Sequence, residues 1–159
     1  MIFVAVGTQK FQFNRLLKAV DDLIAQGQLE EEVFAQIGHS DYVPQHYGYK
    51  DFLGKEDFQS CISRCDILIT HSGVATIIAG LKLNKPVVVV PRFASYGEHV
   101  DDHQLQIAES FSDKDLLFMC KDVKKLAETV NRARTHEFAK YVSQRDLVTK
   151  TIRDYLQTL

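Results

Sequence analysis

Two rhythms of apolar residues alternate along the chain. Short runs at Ile2–Val6, Val33–Ile37, Asp66–Ile69, Val87–Val90 and Leu116–Met119 have the length and character of strands buried on both faces of a parallel sheet. His46–Tyr49 falls in or beside one more strand. Between the runs the spacing changes to that of helices: Phe13–Gln26 carries Leu16, Leu17, Val20, Leu23 and Ile24 on one side and stops at Gly27. Further helices are predicted over Lys55–Arg64, over Val74–Leu83, from a start within Asp101–Ala108, over Val123–Ala133 and over Phe138–Leu156. Strands alternating with helices imply an α/β fold, a single doubly wound parallel sheet with right-handed crossovers. Residues 1–159 read as one domain without an internal repeat or a low-complexity segment.

The junction Ile69-Thr70-His71-Ser72-Gly73-Val74-Ala75-Thr76 carries the first chemistry. A strand stops there at small residues and a helix begins, which is the geometry of a phosphate-binding helix N-terminus. Gly73 lets the backbone approach a ligand with no Cβ in the way. The amides of Val74, Ala75 and Thr76 face outward with the positive end of the helix dipole behind them. Ser72 or Thr76 adds a hydroxyl donor, and His71 can donate from its imidazole to a phosphate oxygen, more strongly if protonated. The same residues also read as an ordinary helix start, with Ser72 the N-cap and His71 a half-buried strand end.

The continuation narrows the reading. The helix ends at Asn84-Lys85-Pro86, Val87–Val90 forms the next strand, and after Pro91-Arg92 a Gly-containing loop, Phe93–Val100, leads to the polar start of another helix at Asp101–Gln104. Two successive strand–loop–helix units thus present polar loops at the carboxyl ends of neighbouring parallel strands, where open α/β sheets bind ligands. The segment His71–Ala108 resembles the nucleotide-sugar signature of the two-domain GT-B glycosyltransferases. In that pattern His-x-Gly-x-x-Ser/Thr grips the donor diphosphate, and a later Gln-containing segment touches the donor sugar.

A closer resemblance covers nearly the whole chain. Val4-Ala5-Val6-Gly7-Thr8-Gln9, Gly48-Tyr49, His71-Ser72-Gly73 and Asp102-His103-Gln104 are similar to the donor-binding subunit of split, family 28 type glycosyltransferases. Such subunits include the soluble subunit of the eukaryotic dolichol-linked UDP-N-acetylglucosamine transferase and the short bacterial subunits of exopolysaccharide and capsule assembly. The resemblance implies a Rossmann-like domain equivalent to the C-terminal half of a GT-B enzyme. It implies a UDP-sugar donor as substrate with no bound cofactor or metal, a membrane-associated acceptor-side subunit as partner, and a lipid-linked saccharide as acceptor. Gly7-Thr8-Gln9 and Asp101–Gln104 look nearest to the bacterial β-1,4-galactosyltransferase branch. The N-acetylglucosaminyl version and a non-catalytic accessory subunit are the competing expectations.

By the same resemblance, Gly7 and Thr8 approach the donor phosphates or the acceptor, Phe52 and Leu53 contact uracil, His71 to Thr76 hold the diphosphate, and Glu98, Asp102, His103 and Gln104 reach the sugar. Thr8 also reads as an N-cap, and Phe52 and Leu53 also read as core. One departure stands out: many such sites place a carboxylate three residues after the Ser/Thr to hold ribose, and this chain has Ala79 there. A transferase needs a base at the acceptor and stabilisation of the departing diphosphate. The chain offers the second and no convincing base, so the base is expected on the partner.

Composition agrees with a globular half-enzyme. The formal net charge of −2 gives no electrostatic case for nucleic acid. No apolar run approaches the ~18 residues of a membrane span, and Met1–Val6 is a strand cut short by Gly7, so a cytoplasmic protein recruited to the membrane through its partner is expected. Three cysteines fit reduced thiols. Cys61 and Cys65 are one helical turn apart but lack a second pair with zinc-site spacing. The cluster Glu98, His99, Asp101, Asp102 and His103 reads as a solvated loop before a capped helix rather than a cation site.

Overall fold

The computed structural model describes residues 1–158, with the side chains at 147 and 148 outside that description. Its strands are β1 (Ile2–Ala5), β2 (Val33–Gln36), β3 (Gly48–Lys50), β4 (Ile67–Thr70), β5 (Val87–Val89) and β6 (Phe118–Met119). They form one sheet in the order β3-β2-β1-β4-β5-β6, every pairing parallel. The helices are α1 (Asn14–Ala25), α2 (Lys55–Arg64), α3 (Val74–Lys82), α4 (His103–Asp113), α5 (Leu126–Thr135) and α6 (Arg145–Gln157).

Alternation along each strand explains why the apolar runs are unbroken. Ile2 and Val4 of β1, Ile67 and Ile69 of β4 and Val88 of β5 point to one face, where Leu16, Leu17, Val20 and Leu23 of α1 and Leu126, Val130 and Ala133 of α5 cover them. Phe3, Ala5, Leu68, Val87 and Val89 point to the other, against Ile62 of α2, Ile77 and Leu81 of α3 and Ala108 of α4. A run of β-branched residues with no polar position is what a sheet wound on both sides requires. Gly80 sits where α3 crosses the sheet, and a Cβ there would stand 2.7 Å from Leu68.

The order reverses between β1 and β4, which are neighbours although 61 residues of chain separate the end of one from the start of the other. Chain leaving β1 turns toward β2, and chain leaving β4 turns toward β5. Their loops diverge and leave a crevice at the carboxyl ends of the strands, the switch point where doubly wound sheets take ligands.

The chain end departs from expectation. Phe138–Leu156 was expected to be one helix partly packed on the sheet, but helix begins only at Arg145. His136 leaves α5 in an extended conformation, and Ala139 N–H donates to Asp115 O at 3.0 Å, which takes that amide out of any helical ladder. Phe138 packs instead on Phe118 and His136, ring centroids 4.9 and 4.5 Å away. Every described side chain of α6 is exposed, Ile152 and Tyr155 at 55% and 63%, and in this last segment the packing on the domain's core falls to Phe138 and Tyr141, ahead of the helix. Leu147 and Val148, apolar positions of the helix expected over Phe138–Leu156, lie outside the described side chains. No described helix is long and apolar enough to cross a membrane.

Candidate active site

A cleft of about 450 Å³ opens at the switch point, lined from the β1 loop by Gly7, Thr8 and Gln9, from β2 by Gln36 and from α2 by Lys55, Phe58 and Gln59. Leu53 leads into α2, and His71, Gly73, Val74, Ala75 and Thr76 close the far wall. The two loops that the sequence offered as separate surfaces are therefore one. Contact between them is direct: a Cβ on Gly7 would lie 2.6 Å from the His71 ring, and one on Gly73 only 2.4 Å from its Nε2. Gly73 was expected to make room for a ligand. It makes room for the imidazole, and Gly7, held at φ +84°, does the same from the opposite side.

At the start of α3 the first intrahelical acceptor is Gly73 O, taken by Ile77 N–H at 3.0 Å, so the amides of Val74, Ala75 and Thr76 are the helix's free donors. They lie on the cleft wall and carry the positive end of the α3 dipole. Ser72 does not cap the helix: the N-cap is Gly73, and the Ser72 hydroxyl is 1% exposed with no hydrogen-bond partner. Thr8 does not cap α1 either, since that helix starts at Asn14, with Ser40 Oγ accepting from Phe13 N–H.

His71 is buried, and burial, together with the positive charge of Arg92, pushes its imidazolium down to about 4. The ring is neutral near pH 7, not the ready cation that the sequence allowed. Among the described residues Lys55 is the cation on the cleft wall, and no carboxylate lines it. Gln36, 3% exposed, accepts Leu53 N–H at 2.9 Å and so fixes the approach to α2. Sequence reasoning missed Gln36, Lys55, Phe58 and Gln59; the helix start at Lys55 was legible, but only the sheet order brings it opposite His71.

Of the other expected residues, Leu53 lines the cleft and Phe52 stands outside its lining, exposed and edge-on to His39 with ring centroids 5.1 Å apart. Glu98 is corrected more sharply. It is fully buried and grips Arg15 with both oxygens at 2.9 and 3.0 Å while accepting Phe93 N–H, so it faces the protein and has no reach to a sugar. Asp102 accepts Ala94 N–H and, like His103, is exposed beyond the cleft lining. Gln104 is 6% exposed in the first turn of α4, and its Oε1 has no partner. Ala79 packs toward the apolar layer between α3 and the sheet and supplies no ribose contact. Beneath the loop Pro91–Glu98 lies Arg92, 1% exposed, its guanidinium donating to the carbonyls of Phe11, Gln12, Glu98 and Val6. Burial lowers it to about 10, against the pull of Glu98, and it stays charged.

Sheet order, switch-point cleft and the free amides at the start of α3 match a Rossmann-like domain equivalent to the C-terminal half of a GT-B glycosyltransferase. Solved structures share the fold: the glycotransferase of kitacinnamycin superposes with a TM-score of 0.64 at 18% identity, over 84% of this chain and 34% of that one. The solution structure of ALG13 gives a TM-score of 0.59 at 17% identity, over 95% of this chain and 93% of that one. In sequence, the chain is 30% identical over 133 residues to the human UDP-N-acetylglucosamine transferase subunit ALG13, covering 75% of this chain and 11% of that protein. The chain thus spans about a tenth of that relative's length. The profile of the glycosyltransferase family 28 C-terminal domain matches residues 1–159, and the chain belongs to that family.

Proposed function

We propose that this chain is the donor-binding half of an inverting glycosyltransferase that takes a UDP-sugar and is completed by a second, membrane-associated chain carrying the acceptor side. The carrying observation is the cleft itself: three free helix amides, Lys55 and His71 converge there, with no carboxylate lining it among the described residues. That arrangement suits an anionic diphosphate and its developing charge as the sugar departs. Its neutral imidazole, His71, is assigned here to the diphosphate, and among the described residues no other lining side chain is a base for an acceptor hydroxyl, so the base is placed on the partner. The exposed side of α6, with Ile152, Tyr155 and Leu156, supports a docking role for that helix.

For the sugar, the human relative's name favours UDP-N-acetylglucosamine over the galactosyl donor expected from the bacterial resemblance. UDP-galactose is the second reading, resting on the wording of Gly7-Thr8-Gln9 and Asp101–Gln104. The acceptor is proposed as a lipid-linked saccharide at the cytoplasmic membrane face. Calorimetry with UDP, UDP-N-acetylglucosamine and UDP-galactose tests the donor assignment. Failure of all three to bind, alone and with the partner, would leave an accessory subunit. Robust sugar transfer by the purified chain alone would overturn the split-enzyme reading.

A further inference from the structure

The hydrogen bonds around His71 fix which of its nitrogens holds the proton. Thr70 Oγ1 donates to Ala5 O at 2.8 Å, so its remaining role toward His71 Nδ1, 3.3 Å away, is that of acceptor. The other neighbour of Nδ1 is Ala5 O at 3.4 Å, a carbonyl that can only accept. With acceptors on both sides, the proton of a neutral ring sits on Nδ1 and Nε2 is left with a lone pair. Nε2 is the ring nitrogen between Gly7 and Gly73, on the cleft side, and no described residue hydrogen-bonds to it. A lone pair aimed into an anion cradle repels a phosphate oxygen; an Nε2–H attracts it.

We propose that His71 of the empty domain is the neutral Nδ1–H tautomer and that it takes up a proton at Nε2 when a diphosphate enters the cleft, so that donor binding is coupled to proton uptake by this one ring. The inference rests on the donor-site reading above and adds to it how the site matches its charge to the ligand.

The groups facing the ring favour that coupling. Arg92 from the loop after β5 and His99 from the loop before α4 both oppose a charge on it. Lys55 at the start of α2 is the cation of the cleft wall itself, while the β1 loop contributes Gly7, Thr8 and Gln9, β2 contributes Gln36, and α3 contributes backbone amides. Glu98, the carboxylate beside Arg92, is committed to Arg15 and Phe93. Among the described residues no carboxylate lines the cleft to compensate an imidazolium, and burial holds its value down to about 4. The compensating charge arrives with the ligand, and the proton that follows is drawn from solvent and ends on Nε2. Binding raises the ring's value, so affinity is greatest in acid. It declines as pH rises, by up to about tenfold per unit, between the values of the free and bound ring.

UDP-sugars are the right probes, because both phosphates are diesters, whereas the terminal phosphate of UDP itself titrates near about 6 and masks the effect. Calorimetry of UDP-N-acetylglucosamine and UDP-galactose binding to the full chain, in two buffers of different ionisation enthalpy, counts the protons. Uptake approaching one proton at about pH 6, shrinking at higher pH and absent in His71→Gln, is expected. Nitrogen-15 spectra of the free chain should show His71 protonated at Nδ1. Donor binding with no proton uptake, or a free ring protonated at Nε2, would overturn the coupling while leaving the donor site intact. Absence of donor binding at any pH would remove the donor-site reading and the coupling with it.

Discussion

Arg15 and Glu98, 83 residues apart in sequence, form a two-pronged ion pair with Nε–Oε1 and Nη2–Oε2 separations of 2.9 and 3.0 Å. Arg15 also donates to Pro91 O and lies over the rings of Phe13, Phe93 and Tyr96 at 5.1–5.4 Å. The pair fastens the loop after β5 to helix α1, across the top of the sheet and beside the cleft.

Glu98→Gln leaves the Arg15 guanidinium facing a neutral amide under a layer of aromatic rings. Because Glu98 is fully buried and Arg15 mostly so, the loss should be about 3 kcal/mol in urea denaturation. A donor-contacting Glu98 would instead leave the denaturation midpoint near wild type and lower affinity for the donor.

Gly73→Ala places a methyl group where the His71 ring now lies. Overpacking costs about 1–3 kcal/mol, and the ring must turn away from the cleft wall, so UDP affinity should fall more than the melting temperature accounts for. Unchanged UDP binding in a folded Gly73→Ala protein would show that the imidazole does not face the ligand.

His71→Ala and Thr76→Ala should each weaken UDP binding by about 1.5–3 kcal/mol with the fold retained, as expected for the loss of one hydrogen bond to a charged group. Matched calorimetry and thermal melts check both. Gln104→Ala discriminates further: its unpartnered Oε1 sits in α4, outside the cleft lining, and the substitution should impair sugar transfer by the assembled enzyme more than UDP binding. Equal losses would assign Gln104 to structure.

Asp21 supplies a pH prediction away from the cleft. Burial raises its carboxyl value, but hydrogen bonds from Tyr42, Gln45 and His46 outweigh that and hold it below the ordinary carboxylate range. A lowered folded value means stabilisation that is complete above the unfolded value of about 3.9 and is lost as pH falls through the folded one. Asp21→Asn should therefore destabilise the protein at neutral pH, with the difference from wild type shrinking in acid below about pH 4. Urea melts at the two pH values measure it, and a constant difference would contradict the assignment.

The strand runs, the helix starts at Lys55 and Val74 and the strand–helix junction at Gly73 follow from local pattern, because burial on two faces and a free helix N-terminus leave signatures within a few neighbouring residues. The long-range partnerships do not. Nothing near Glu98 marks it as the counterion of Arg15, and its setting among His99, Asp101 and Asp102 resembles a wet loop. Nothing near Gly7 or Gly73 tells that both are kept small for one imidazole, or that Thr70 and Ala5 hold the proton on its far nitrogen. Phe138 could continue a helical pattern until its ring found Phe118 and the next amide found Asp115. These outcomes depend on sheet order, which sets β1 beside β4. The sequence by itself determined most of the elements and the free helix N-terminus after Gly73; only the folded chain decided which side chains face the cleft and which are consumed in holding it open.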